Sequence, residues 1–319
     1  MPRVTGQPPS GASIRVAGTA DLPAVAALMY EVAPEMALTA DELAHDDTLT
    51  PGGRRFVAEV DGALAGVGVA STFYAREPEF EGSWTTLQVR EAYRGRGIGG
   101  ALLARMADHA AVLGKRSLHM WTSEARPEAG PWLARRGFAE HERAKYVALP
   151  LAGLDPPAVD PPAGVEITTL AARPELAEGI YAAALEAEAD MPSADPFVAV
   201  SIEQWRTFAI DRPDLPHEGC AVALAGDEVV GWASIGLPAA HPGLGYHNRT
   251  GVRRAWRGRG VAAALKRATI AWAIAGGLEL LETENDESNA PMRAINRRLG
   301  YRPLPDRVLM RAPLPLPPA

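Results

Sequence analysis

The order of apolar and polar stretches repeats in the two halves of the chain. Each half opens with a short alternating run, continues into an Ala- and Leu-rich stretch with acidic residues near its start, and then has two apolar runs joined by a Gly-containing pair. These features predict a strand, a helix and a β-hairpin in that order. The segments are Ser13–Val16, Leu22–Val32 and the hairpin through Asp61-Gly62, then Val165–Thr168, Pro174–Glu188 and the hairpin through Gly226-Asp227.

A second block of features follows in both halves. A strand leads into a turn rich in Arg and Gly, a long helix starts there, and a further strand and helix end at a Gly-aromatic pair. Arg94 precedes Gly137 by 43 residues, and Arg257 precedes Gly300 by the same 43. Chance rarely produces such agreement, so the pattern indicates a duplicated α/β domain. The segments are Trp84–Val89, 94–100 and a helix to about Leu113, then His247–Val252, 257–262 and a helix to about Ala275.

A Pro-rich stretch separates the two halves. Residues 154–164 contain four prolines, which remove amide donors and fix φ, so this stretch cannot continue a helix or a central strand. We therefore predict an N-terminal domain at 13–153, a linker at 154–164 and a C-terminal domain at 165–312. Residues 1–12 and 313–319 are expected to be tails.

Composition and charge narrow the class of protein. A chain of 319 residues suits two domains, and a net charge of −7 argues against nucleic acid and anionic membranes as partners. No apolar stretch has the roughly 18 residues of a membrane span, and no signal peptide is recognisable, so a cytoplasmic protein is expected. The single cysteine, Cys220, excludes an intramolecular disulfide and is expected to be a buried apolar residue. Oligomeric state stays open.

The Arg- and Gly-rich turns have the chemistry of an anion site. Each follows a predicted strand and opens a helix, where unpaired amides and the helix dipole favour a diphosphate. Glycine lets the backbone curl around such a ligand, and arginine supplies planar donors. Neither turn ends in the Gly-Lys-Ser/Thr of a Walker loop, and neither follows the first strand of its domain as a Rossmann fingerprint would.

The two turns resemble a known family signature. Arg94-x-x-Gly97-x-Gly99 and Arg257-x-x-Gly260-x-Ala262 are similar to the Gln/Arg-x-x-Gly-x-Gly/Ala motif of GNAT (GCN5-related) N-acetyltransferases. The resemblance covers nearly the whole chain as two tandem domains, with a layout distantly similar to that of mycothiol synthase. It implies an α/β fold, of the α+β type with a mixed sheet that opens between its fourth and fifth strands, and two GNAT-type acyl-CoA N-acyltransferase domains.

The same resemblance implies acetyl-CoA as the cofactor and assigns residues to it. The loop amides would hold its pyrophosphate, and the backbone of the preceding strand would align its arm and polarise the thioester. In the family an Asn at the place of Asn289 contacts that arm. The implied residues are Leu87, Val89, Arg94, Gly95, Arg96, Gly97, Ile98, Gly99, Thr250, Val252, Arg257, Gly258, Arg259, Gly260, Val261, Ala262 and Asn289.

Both halves depart from the family at the position of its proton-donating tyrosine. Counting five residues back from Phe138 gives Leu133, which cannot donate, and from Tyr301 gives Asn296, which can hydrogen-bond. The second half is therefore favoured for catalysis. Its further candidates are Glu284 and His247 as bases and Asp190 as a substrate-binding acid for a cationic amine.

The function expected from these observations is transfer of an acetyl group from acetyl-CoA to a primary amine of a small molecule. Two alternatives stay open. The missing tyrosines fit a non-catalytic acyl-CoA-binding or sensor protein, and the more glycine-rich first loop fits catalysis in the N-terminal domain with a structural C-terminal one. No metal site is expected, and the single cysteine excludes a multi-cysteine site.

Overall fold

The computed structural model describes residues 11–77 and 79–317. Most of the expected N-terminal tail and the last two residues of the expected C-terminal tail lie outside the described residues. No helix in the described ranges is both long enough and apolar enough to span a bilayer.

The first half of the chain contains four helices and six strands in the described ranges. In chain order they are β1 (Ala12–Val16), α1 (Leu22–Val32), α2 (Ala40–Leu49), β2 (Arg54–Val60), β3 (Ala63–Ser71), β4 (Gly82–Val89), α3 (Ile98–Val112), β5 (Ser117–Ser123), α4 (Ala129–Ala134) and β6 (Ala139–Pro150). The start of α2 is fixed by Thr39 and Glu42, which satisfy each other's free amides in a capping box.

The second half repeats this order, with two strands at its end where the first half has β6. Its elements are β7 (Glu166–Thr169), α5 (Ala177–Glu188), α6 (Ile202–Ala209), β8 (Cys220–Ala225), β9 (Glu228–Gly236), β10 (Leu244–Val252), α7 (Val261–Ala275), β11 (Leu280–Asp286), α8 (Ala290–Arg298), β12 (Arg302–Pro303) and β13 (Arg307–Pro313). Both predicted hairpins are present, as β2–β3 and β8–β9.

The described chain forms two compact units. Among the described residues, the first unit comprises those up to Arg143 together with those from Arg307 onward, and the second unit comprises residues 144–306. The strands of the first unit are ordered β1-β2-β3-β4-β5-β13, and those of the second are ordered β7-β8-β9-β10-β11-β6. Each sheet is mixed, since β4 and β5 are parallel, as are β10 and β11, and the other neighbours are antiparallel.

The last strand of each sheet comes from the other half of the sequence. Residues 144–150 of β6 pair with β11 over the whole of that strand, and β13 pairs with the whole of β5. The unit boundaries therefore differ from the predicted domain limits, since 144–153 belong to the second unit and 307–312 to the first. The predicted linker also falls inside the second unit. Alternation along a strand tells which face is buried but not which strand is its neighbour.

In both units the two parallel strands separate part of the way along. β4 and β5 pair from Gly82 to Thr85, and β10 and β11 pair only from Leu244 to Tyr246. Beyond these residues each strand continues for several residues without the other. The predicted opening between the fourth and fifth strands is thus present in each unit.

Helices cover the faces of each sheet. In the first unit, α3 packs its apolar side, including Leu102 and Met106, against β2, β3 and β5. In the second unit, α7 packs Leu265 and Ile270 against β8, β9 and β10. These contacts fix the start of α3 and of α7 beside the opening between the parallel strands. The interiors of the two units are therefore built on the same plan.

Candidate functional site

The loop before α7 presents a run of unpaired backbone amides. From Gly258 to Ala263 no amide forms a hydrogen bond among the described residues, and the ladder resumes with Ala264 donating to Gly260. Gly258 and Gly260 have φ of 71° and 95°, which side chains rarely adopt, and no atom lies within 4 Å of where their Cβ would be. Val261 starts the helix with its side chain buried. The loop is therefore an open cradle of donors at a helix N-terminus.

The arginines of this loop have partners within the protein. Arg257 donates through Nε to the Val252 carbonyl at 2.9 Å and through Nη1 to Asp190 at 2.7 Å. Asp190 also accepts two hydrogen bonds from Arg254, and the two guanidinium groups lower the pKa of Asp190 to about 2. Arg259 lies over the Trp256 ring at 5.1 Å. Asp190 therefore holds the loop in place, and its expected role as an acid that attracts the substrate is not supported.

The loop before α3 has the same backbone shape. Gly95 and Gly97 have φ of 73° and 84° with open space around them, and Arg94 donates to the Val89 carbonyl at 3.1 Å. Arg96 lies over Tyr93 as Arg259 lies over Trp256. The amides from Gly95 to Gly100 likewise form no hydrogen bond among the described residues, and Ile98 is buried as the first residue of the helix.

The third glycine of the first loop serves packing. A Cβ at Gly99 would lie 3.2 Å from Cζ2 of Trp132, so the Trp132 ring rests on the first turn of α3. Arg136 stacks on that ring at 3.7 Å, and Leu133 beside it is buried in the core of the first unit. In the second unit Ala262 and Ile295 stand at the places of Gly99 and Trp132. The additional glycine of the first loop, Gly99, is therefore explained by its contact with the bulky Trp132 ring.

The strand β10 carries an irregularity that β4 lacks. His247 pairs with Ile235 and Arg249 with Ser234, so Asn248 is one extra residue, a β-bulge, whereas β3 and β4 pair without interruption. Bulges expose backbone groups and change the direction of a strand. Thr250 and Val252 lie beyond the bulge, where no described strand pairs with this edge of β10. The corresponding Leu87 and Val89 pack against the apolar core of the first unit.

Asn296 lies beside the opening in the second unit. It is 2% exposed, its Nδ2 donates to Oδ1 of Asn285 at 2.6 Å, and its own Oδ1 has no partner among the described residues. Asn285 belongs to the part of β11 that has separated from β10. A buried oxygen without a partner is destabilising, so a donor from a ligand in the opening would satisfy it. Asn289 caps α8 by accepting a hydrogen bond from Met292.

His247 does not face the opening. It is 2% exposed and lies between the Tyr301 hydroxyl and the Thr269 hydroxyl, each 2.6 Å from one ring nitrogen. Burial, and next the charge of Lys266, lower the pKa of His247 well below its ordinary value. Lys266 is itself buried over the Tyr301 ring, and burial lowers its pKa to about 7. The structure therefore does not support His247 as the base.

The opposite face of the sheet carries the remaining candidate base. Glu284 is partly buried there with its Cα opposite that of Tyr146. Glu282, two residues earlier, accepts a hydrogen bond from the Tyr146 hydroxyl. The sequence did not single out Tyr146, Glu282 or Asn285 as functional. Glu282 and Glu284 are two residues apart and therefore share a face of β11, but nothing local in the sequence brings Tyr146 to that face.

The residues of the second unit fit a coenzyme with a diphosphate and an amide-bearing arm. The amides of 258–263 suit the diphosphate, and the unpartnered Oδ1 of Asn296 suits an N–H of the arm. In the first unit the loop fits equally, but Trp132 and Leu133 occupy the position where Asn296 and its neighbour stand in the second unit. Cys220 is buried as expected, and burial raises the pKa of its thiol to about 12.

Comparisons with known proteins agree with this geometry. The model of the acetyltransferase (GNAT) family matches residues 24–138 and 184–301. A GCN5-related N-acetyltransferase from Sphaerobacter thermophilus has a similar structure, with a TM-score of 0.76, 21% identity and 98% of each chain covered. A tandem GNAT protein from the clavulanic acid biosynthesis pathway has a TM-score of 0.73 and 20% identity, covering 95% of this chain and 98% of that one.

No curated protein gives a significant match. At such identities the structural likeness shows the fold alone, and the distant resemblance in layout to mycothiol synthase stays a prediction. The family model matches most of the chain, once in each half, and the predicted tandem fold with mixed sheets is confirmed. The chain belongs to the acetyltransferase (GNAT) family.

Proposed function

We propose that the second unit transfers an acetyl group from acetyl-CoA to a primary amine of a small molecule. The observation that carries this proposal is the opening between β10 and β11. It has free amides at the start of α7 on one side and the unpartnered oxygen of buried Asn296 on the other. The first unit has the same loop without such a polar wall, so we assign it a structural role.

Each group of the second unit has a definite task in this proposal. Bound acetyl-CoA supplies an activated acetyl thioester. The amides of 258–263 hold the diphosphate, and Asn296 orients the arm of the coenzyme. Asp190 accepts hydrogen bonds from Arg254 and Arg257 and so holds these two side chains out of the loop. Backbone groups beyond the bulge at Asn248, on the edge of β10 that pairs with no described strand, would donate to the thioester oxygen. Holding both reactants in place supplies much of the rate, so the absence of a tyrosine at 296 does not prevent catalysis.

Calorimetric titration of acetyl-CoA into the wild type, Gly97→Val and Gly260→Val tests the assignment. Valine is strained at the positive φ of either glycine and would crowd the cradle. We expect one site, weakened at least about 100-fold by Gly260→Val and within about threefold of wild type in Gly97→Val. Thermal unfolding of both variants controls for misfolding. Two equal sites would contradict the assignment of binding to the second unit alone. Loss of binding only with Gly97→Val would assign the function to the first unit.

Release of free thiol from acetyl-CoA, measured with a panel of primary amines, separates enzyme from sensor. An acetyltransferase releases thiol in proportion to the acetylated amine. A sensor would bind the coenzyme with the same dependence on Gly260 and release no thiol with any amine. The result therefore decides between the proposal and its non-catalytic alternative.

A further inference from the structure

A carboxylate lies between two tyrosines at the point where β10 and β11 separate. Tyr246 and Glu282 form the last paired rung of these strands. The Tyr146 hydroxyl donates to the Glu282 carboxylate, and the rings of Tyr146 and Tyr246 are 6.4 Å apart and inclined by 31°. Tyr146 is 5% exposed, and Glu282 and Tyr246 are partly exposed. The cluster formed by Tyr146, Tyr246 and Glu282 is called the carboxylate–tyrosine cluster below.

This cluster is on the face of the sheet opposite α7. Leu281 packs with Ile235 and with Ile270 of α7, so it points to the α7 face. Side chains alternate along a strand, and therefore Glu282 points away from α7. Tyr246 stands directly beside Glu282 in the register and shares its face. Asn296, by contrast, contacts Asn285, which alternation places on the α7 face. The two faces of the opening thus carry different chemistry.

One member of the cluster lies outside both segments that resemble the family. The matched segments are 24–138 and 184–301, and Tyr146 lies between them on β6. It reaches Glu282 because β6 is the neighbour of β11 in the second unit. In the first unit the same place on β13 holds Leu309, and the places of Glu282 and Tyr246 hold His119 and Trp84.

We propose that the carboxylate–tyrosine cluster binds the ammonium group of the acceptor and that Glu282 accepts its proton. The inference rests on the proposed function of the second unit. A carboxylate flanked by aromatic rings is a recognised environment for an ammonium ion, because charge and ring faces attract it together. The Tyr146 hydroxyl orients the carboxylate and acts as a positioning residue.

The cluster also selects among amines. Glu284 is on the same face of β11 as Glu282, so two carboxylates border this position. An acceptor with a carboxylate next to its amine would be repelled, as like charges are at short range. The acceptor class is therefore a primary amine without a neighbouring acid group, and amino acids are excluded.

The proton and bond changes balance without a further reactant. The ammonium group gives one proton to the Glu282 carboxylate and becomes a neutral amine. Its nitrogen lone pair forms a bond to the thioester carbonyl carbon, the carbon–sulfur bond breaks and its electron pair leaves on sulfur. A second proton passes from the nitrogen to the sulfur, so the products are an amide and a free thiol. Glu282 then loses its proton to solvent.

The experiment uses the full chain, with 2-phenylethylamine as the probe and phenylalanine and 2-phenylethanol as matched compounds. Without coenzyme, calorimetry should detect binding of the amine, and phenylalanine and the alcohol should bind at least tenfold more weakly. Glu282→Gln should lose amine binding and keep acetyl-CoA binding. Glu279→Gln, on the exposed turn before β11, is the matched control. Absence of amine binding to the wild type would overturn the proposal.

The pH profile separates a base from a structural carboxylate. The titratable and charged groups on this face are Tyr146, Tyr246 and Glu284 of the sheet and the ion pair between Arg249 of β10 and Glu188 of α5. With Glu282→Gln we expect a roughly 100-fold loss of kcat/KM at pH 7 and a shift of the profile to higher pH, because the amine must then arrive neutral. Glu282→Asp should restore part of the activity, and Tyr146→Phe should lose about fivefold.

An unchanged pH profile and near-normal activity in Glu282→Gln would overturn this role of the cluster while leaving the proposed function intact. The opposite failure is also distinguishable. If wild type binds the amine through Glu282 and acetyl-CoA through Gly260 but releases no thiol, the cluster is confirmed as an amine site and the acetyl transfer is refuted.

Discussion

The two units place different side chains at matching positions around the same opening. Where the second unit has Tyr246 and Glu282 on the face away from its long helix, the first unit has Trp84 and His119, which pack with Phe73 and Phe80. On the other face, Asn296 of the second unit corresponds to buried Leu133 of the first. The second unit therefore has carboxylate, hydroxyl and amide groups at these positions, and the first unit has the Trp84 ring, the imidazole of His119 and the Leu133 side chain.

The difference extends into the interior below the opening. In the second unit His247, Lys266, Thr269 and Tyr301 form a buried polar group. The positions that correspond to Lys266, Thr269 and Tyr301 in the first unit are Leu103, Met106 and Phe138, all buried and apolar. Polar burial is destabilising and apolar burial is stabilising. This difference in the interior supports the proposal that the second unit is the functional one and the first a scaffold.

Exchanging the residues at 133 and 296 should have the largest effect on the difference between the two units. Leu133→Asn places an amide in the apolar core of the first unit and removes a buried side chain, which we expect to destabilise that unit by about 4 kcal/mol. Asn296→Leu should leave stability nearly unchanged and weaken acetyl-CoA binding. Hydrogen exchange of peptides from α3 and α7, measured in one experiment, checks both units. Equal protection losses in both variants would contradict the assignment.

Lys266→Met, with buried Leu103 as its counterpart in the first unit, tests the polar interior. Burial lowers the pKa of Lys266 from 10.5 to about 7. Between these values Lys266 holds a proton in the unfolded chain but not in the folded one, so the free energy of unfolding of the second unit rises with pH. Below pH 7 Lys266 is protonated in both states, and the folded protein then carries the full cost of burying the charge. Lys266→Met should therefore stabilise by on the order of 3 kcal/mol at pH 7, after allowing for the lost ring contact.

The gain from Lys266→Met should shrink toward zero as the pH approaches 10.5. Urea unfolding at pH 7, 8.5 and 10 measures this trend, with Leu103→Met in the first unit as the control for a change of core packing. If the gain in the free energy of unfolding does not vary with pH, the buried Lys266 is not the source of the added stability.

Trp132→Ala tests whether the first unit is closed by a single side chain. Removing the ring should free the space beside Gly99 and destabilise the first unit by about 2 kcal/mol, since the side chain is only partly buried. In a Gly260→Val background, any acetyl-CoA binding then belongs to the first unit. We expect a weak site detectable by calorimetry in Trp132→Ala and absent in Trp132→Phe. No binding in either variant would show that more than Trp132 closes this unit.

The ion pairs that hold the two loops should differ modestly in their effect on the affinity for acetyl-CoA. Asp190 binds Arg254 and Arg257, whereas Glu128 contacts Arg94 in a single exposed contact of 3.4 Å. Asp190→Asn should weaken acetyl-CoA binding about fivefold, and Glu128→Gln should have no measurable effect. Because the pKa of Asp190 is lowered to about 2, its pairs form above that value and are lost only as pH falls through it. Affinity of the wild type should therefore not vary between pH 5 and 8 through this group.

Much of the local structure follows from the sequence. The duplicated order of elements, the hairpins and the two loops were predicted because periodicity, Asp-Gly pairs and glycines with positive φ act within a few residues of themselves. Asn296 was assigned through the family resemblance, by its spacing of five residues from Tyr301, and it lies on α8 in contact with Asn285.

Tertiary contacts determine the features of the site that local sequence patterns do not. The bulge at Asn248 adds one residue to β10, and one residue changes which face each earlier side chain occupies, so His247 is buried under α7 and Tyr246 faces the other way. The pairing of β6 with β11 brings Tyr146 to Glu282, and the packing of Trp132 on Gly99 closes the first unit. These outcomes depend on contacts between residues far apart in the chain, which no local pattern specifies.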